Sequence, residues 1–191
     1  DAIVRVHALR VAEALVAQSV AISNRFSNMT TDRDIQVRYQ LAFSLGAAQG
    51  KNRYQALTRL ALSDHQDKWM PVAISSSLFQ GAGFVFRELT THAAFLKTTT
   101  GQQFMLTLAT QIGARQRADE LAAVLQSLSS IKNHDAKLAP KVMEALVKNI
   151  EGEQRTKLLA STGENAAMVL QQLIVESMDI AQSPQESTEK R

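Results

Sequence analysis

The chain has 191 residues, of which 45% are hydrophobic and 20% charged, and a formal net charge of +3. That composition excludes wholesale disorder and leaves room for one domain with a sizeable core, or for several small units that share one. The lack of cysteine excludes disulfides, thiolate nucleophiles, cysteine-ligated zinc and covalent c-type haem attachment within these residues.

Asp1 opens the first predicted helix, "DAIVRVHALRVAE", with no initiating Met, so the chain is expected to be an excised piece of a longer protein. A second helix follows over residues 19–29, "SVAISNRFSNM". From Asp34 the pattern of the first returns as "DIQVRYQLAFSLG", and after a helix over 52–63 it returns again from Asp67 as "DKWMPVAISSSLF". Setting the three Asp residues as equivalent places Val4 over Val37 and Met70, Ala8 over Leu41 and Ile74, and Ala12 over Leu45 and Leu78. Apolar residues at spacings of four form one face of a helix, so these positions are the predicted core. Pro71 falls in the first turn of the third copy, where its missing N–H is tolerated.

Further helices are predicted over 82–96, 101–114, 117–131 and 137–150, followed by a short helix in "EQRTKLLAS" and a long one in "ENAAMVLQQLIVESMDIAQ". The breaks between them, "KTTTG", "KNHDA" and "STGEN", are turn-prone but too short to be interdomain linkers. The expectation is an all-α fold, an α-α superhelix or solenoid of about five helix pairs. It occupies residues 1–182 as one domain, and 183–191 form a flexible tail. The first helix has no preceding partner, which implies an exposed apolar edge unless an upstream repeat of a longer protein covers it. No apolar run approaches the ~20 residues that span a bilayer, so no membrane span is expected.

The motif D-x-x-V-R-x-x-x-A/L-x-x-x-L, best met by "DIQVRYQLAFSLG", resembles the HEAT repeat in its short variety named after phycobilisome lyases. The third copy departs from it, with Pro71 where Arg5 and Arg38 stand. Residues 1–131 more narrowly resemble the HEAT-like segment of large bacterial extracytoplasmic proteins, in which a dehydrogenase-like propeller precedes the repeats and a c-type cytochrome follows. The resemblance implies a non-catalytic scaffold in a periplasmic or other extracytoplasmic setting, with flanking modules or another protein as partner. None of that family's haem or dehydrogenase chemistry maps onto a residue here.

Arg5 and Arg38 recur one period apart, and a structural ladder with turn carboxylates is expected for them. Asp1, Asp34 and Asp67 are the candidate acceptors. An outward row contains His7, Arg10, Gln36, Gln40, Phe43, Trp69, Ser76 and Gln80, together with Ile3 and Ala73. One aromatic in each of the later repeats beside Arg and Gln suits a protein interface, and this row is the candidate concave binding surface. Packing of Phe43 and Trp69 against neighbouring helices is the competing reading.

Other chemistry is thinly signalled. His7, His65, His92 and His134 stand 27 or more residues apart, so no metal site and no cofactor is expected. The pairs Asp32/Asp34, Asp64/Asp67 and Asp119/Glu120 fall at turns and helix starts, where capping accounts for them. Ser75 to Ser77 fall mid-helix without a nucleophile motif, and Gly46, Gly81 and Gly113 are read as helix ends. The Lys and Arg residues are scattered rather than gathered on one face, which makes nucleic acid an unlikely partner. The alternative function is a nucleic-acid-binding HEAT protein of the alkylpurine DNA glycosylase type. It would need basic residues converging beside Trp69.

Overall fold

The structure is a computed structural model that describes residues 1–150. The helices expected beyond Ile150 and the tail at 183–191 lie outside the described residues. Within them every regular element is helical: α1 (Ala2–Val16), α2 (Val20–Asn28), a 3-10 turn at Met29–Thr31, α3 (Ile35–Ser44), α4 (Lys51–Asp64) and α5 (Met70–Ser76). There follow α6 (Ala82–Leu89), α7 (Ala93–Leu96), α8 (Thr99–Arg115), α9 (Ala118–His134) and α10 (Leu138–Val147). No helix among the described residues is long and apolar enough to cross a membrane.

Local chemistry sets the starts. The side chains of Asp1, Ser19, Asp34 and Thr98 accept from backbone N–H groups in the first turns of α1, α2, α3 and α8. Such caps satisfy donors that the helix itself leaves unpaired, each to the extent of about 1 kcal/mol. The helix predicted over 82–96 is instead two. The Thr90 and Thr91 hydroxyls donate to the carbonyls of Arg87 and Glu88 at 2.6 and 2.8 Å, local bonds that compete with continued helix.

Packing follows the order of the chain. α1 lies on α3 and α3 on α5, while α2 lies on α4 and α4 on α6. The arrangement continues with α6 on α9 and α8 on α10. Between these rows runs one core that includes Phe26, Leu41, Leu57, Ile74, Phe86 and Phe104. Val37, Met70, Leu41, Ile74, Leu45 and Leu78 are all buried, as their spacing requires. Their counterparts on the first helix are not: Val4 and Ala8 are exposed and Ala12 is half-buried. The physical reason is position, since among the described residues no helix lies on the outer side of α1.

Two smaller expectations also change. α5 ends at Ser76, so Ser75 to Ser77 close a helix instead of sitting in its middle. Gly113 is inside α8, where a β-carbon would overlap the backbone carbonyl of Leu146 on α10. Glycine at this position is what lets the two helices approach. Gly113→Ala is therefore expected to destabilise the fold by about 1–3 kcal/mol through overpacking. An unchanged urea midpoint in that variant would show that the α8–α10 contact is not tight.

Candidate binding face

The stretches leading into α3 and α5 each hold two aspartates with separate tasks, Asp32 and Asp34 before the first and Asp64 and Asp67 before the second. Asp34 caps α3 through the Gln36 N–H at 2.9 Å, and Asp67 accepts from the N–H groups of Trp69 and Met70 at 2.7 and 3.1 Å. The other member of each pair receives the arginine. Arg5 donates to both oxygens of Asp32 at 2.7 and 2.9 Å, and Arg38 to both oxygens of Asp64 at 2.7 and 2.8 Å. The carboxylate partners expected from the sequence, Asp1, Asp34 and Asp67, are thus replaced by Asp32 and Asp64. A capping carboxylate is committed to the first turn of its own helix, whereas the Asp32 side chain, though it also accepts the Asp34 N–H at 3.0 Å, caps no helix and meets the fork of the guanidinium, as Asp64 does. Arg5 does reach Asp1, but at its backbone carbonyl, 3.1 Å away. Arg38 spans further, donating also to the Asp32 carbonyl at 2.5 Å.

Against this ladder, α1, α3 and the start of α5 frame an open groove of about 680 Å³. Of the outward row, the groove gathers Ile3, Arg10, Gln36, Gln40, Phe43, Trp69 and Ala73. Ala73 is buried and belongs to its floor. His7, Ser76 and Gln80 do not line it; Ser76 bonds the Ala73 carbonyl on its own helix at 2.7 Å. The groove also takes Ala2, Val6, Asp34, Tyr39 and Val72, which the row omitted. Tyr39 was legible in principle: it stands three residues after Gln36 and four before Phe43, on the same helical face.

Three polar side chains of the groove, Arg10, Gln40 and Tyr39, are tied across elements. Arg10 Nε donates to Gln40 Oε1 at 2.7 Å, and Gln40 Nε2 donates to Glu13 Oε1 at 2.9 Å. The buried Ser44 hydroxyl donates to the same Glu13 oxygen at 2.6 Å, so α1 and α3 are joined by one chain of bonds. The Tyr39 hydroxyl donates to Asp67 Oδ1, joining α3 to the turn before α5. The large apolar groups are left out: Trp69 is 59% and Phe43 51% exposed, and Ile3 and Val72 are exposed beside them. Lys68 Nζ lies 5.0 Å from the centre of the Trp69 ring.

The four histidines fall on different elements, His7 in α1, His65 just after α4, His92 just before α7 and His134 at the end of α9. His65 Nδ1 is 2.7 Å from Thr100 Oγ1 and its ring meets Phe95 edge-on, and burial holds its pKa below the ordinary value. Among the described residues, no group of three or more His, Asp or Glu side chains is placed to hold a metal ion. Glu120, read as a capping residue, is buried and accepts from the Gly81 N–H at 2.6 Å, fastening α9 to the start of α6. Compared with known protein families, with curated proteins and with solved structures, the chain finds no match in any of the three.

The turn carboxylates give the fold a pH dependence. The Arg5 hydrogen bond holds Asp32 below its ordinary value. At Asp67 burial works in the opposite direction, but the bonds from Tyr39, Trp69 and Met70 outweigh it and the net direction is also downward. A carboxylate depressed in the folded state stabilises it fully above the unfolded value of ~3.9, and this is lost as pH falls through the folded value. The urea midpoint is expected to hold from neutral pH to about 5 and to drop below about 4, with a shallower drop in Asp32→Asn. Burial and the Asp67 bond push Tyr39 up to about 12. Its phenolate is expected near that pH in ultraviolet titration, and at lower pH in Asp67→Asn; an ordinary midpoint would place Tyr39 in solvent.

Proposed function

We propose that the chain is a HEAT-like repeat scaffold, a non-catalytic superhelical stack that holds a protein segment in the groove across α1, α3 and α5. The observation that carries the reading is the contrast within the groove. Its Arg10, Gln40 and Tyr39 side chains are bonded across elements, while Trp69 and Phe43 stand out from a floor of Ala2, Val6 and Ala73. A ring held out on a rigid floor loses little conformational freedom on binding and buries a large area, which is why aromatic residues dominate protein interfaces. The packing of α1 on α3 on α5, with α2 on α4 on α6 behind, supports the repeat reading. If the resemblance to extracytoplasmic fusion proteins holds, flanking modules of a longer chain are the natural partners.

A nucleic-acid site would need converging cations. The groove lines Arg10 with Asp34 and has Lys68 at the Trp69 ring, while Glu13 and Asp67 adjoin it through their hydrogen bonds, so its charges are mixed. The test is a display selection of peptides on the immobilised chain, followed by titration while the emission of Trp69, the sole tryptophan, is recorded. Selected peptides are expected to shift that emission, and Phe43→Ala is expected to weaken binding about tenfold or more, a change of about 1.4 kcal/mol. Because Phe43 is half exposed, the same change leaves the urea midpoint nearly unaltered. Peptides indifferent to Phe43, or DNA binding that weakens steeply with salt, would overturn the reading.

A further inference from the structure

The outer face of α1 carries Val4, Ala8, Val11 and Leu15 in one stripe, at spacings of four, three and four. All are exposed, Val4 at 64%, Val11 at 74% and Leu15 at 51%. Thirty-three residues on, the matching positions are Val37, Leu41 and Ser44 of α3 and Ala48 in the loop after it, and all four are buried. A second step gives Met70, Ile74 and Ser77, at and just beyond α5, again buried. What those stripes meet is visible in the molecule. Ser44 bonds Glu13 of α1, and the Ser77 hydroxyl donates to the Phe43 carbonyl of α3 at 3.2 Å. At Ser44 and Ser77, then, the inner stripes meet the helix one register step earlier, on which the whole helix packs.

We propose that the stripe of α1 is the seat of a further helix pair in the same register, a repeat unit that stacks on α1 and α2 as these stack on α3 and α4. The inference rests on the repeat reading above but not on the groove as the binding site. A second observation points the same way: between α1 and α2 the same end opens a cleft of about 230 Å³ lined by Ala8, Ala12, Ile22 and Met29. In the next unit the corresponding end is closed, by α1 on α3 and α2 on α4. A second copy of the chain pairing α1 with α1 would cover the stripe with one helix of 15 residues. Such a pairing leaves the cleft between α1 and α2 open. The stripe also states the chemistry of its occupant. Where the inner units place Ser44 and Ser77, each needing an acceptor on the preceding helix, α1 places Val11. The seated helix therefore presents an apolar row without an opposing carboxylate.

The test extends the chain by a duplicate of residues 34–66 joined directly ahead of Asp1, so that Gln66 precedes Asp1 as it precedes Asp67. Because the chain has no cysteine, Val11→Cys gives a single thiol whose modification rate reports on the stripe. Labelling at least ten times slower in the extended chain than in the original is expected, with a Phe43→Cys control unchanged. Added helical dichroism with Val11→Cys labelled as before would sink the seat alone; no added helix would sink the repeat reading with it. Labelling of the unextended chain that slows as its own concentration rises would assign the stripe to a second copy and overturn the proposal.

Discussion

A ten-residue helix cannot bury its apolar side chains by itself, and α3 is such a helix. In isolation so short a segment is barely populated in water, and its stability has to come from tertiary contact. Val37, Leu41 and Ala42 are fully buried because α1 lies on one side and α5 on the other, with α4 beneath. Each large side chain so covered contributes on the order of 1.5–3 kcal/mol relative to exposure. The fold is thus held by mutual cover between short helices, and an uncovered helix face marks where the arrangement stops being self-sufficient.

The arginine ladder acts on this packing without supplying its main energy. Paired charges near the surface contribute little net stability. What the bidentate geometry does is fix direction. Arg38 holds Asp64 on one side and the Asp32 carbonyl on the other, so the end of α2, the start of α3 and the end of α4 share one anchor. This sets how the turns sit beside one another, and with them the spacing of α1, α3 and α5 that opens the groove.

The sequence made the helices legible because their apolar period survives in each copy, and Val37, Leu41 and Leu45 were read as core from spacing alone. Other features depended on information that periodicity does not carry. Which aspartate meets Arg5 follows from the capping duties of its neighbour, a matter of three-dimensional direction. The break after Leu89 follows from two threonine hydroxyls that bond back onto the chain. Gly113 resembles a helix end in sequence, yet its role is set by Leu146, 33 residues away. Of the outward row, Arg10, Gln36, Gln40, Phe43 and Trp69 converge on the groove because they lie on packed neighbouring helices. His7 and Ser76 share the row's helical spacing but miss the groove, and Gln80 lies beyond the end of α5.

The two open surfaces of α1 differ in kind, and the difference bears on what each can recognise. The outer stripe is aliphatic, so its contact is governed by area and shape, and it suits an occupant whose register is already fixed by chain connection. On the groove side, Arg10 and Glu13 are engaged with Gln40 and Ser44, while Trp69 and Phe43 remain uncovered. Under the proposed reading, a ligand in the groove would cover Arg10 and Gln40, and one that did not replace their water contacts would be disfavoured. A separate partner needs that discrimination, and a neighbouring unit in the same stack does not. One helix can therefore serve both as the end of a stack and as a wall of a selective site, provided that its two faces carry these different chemistries.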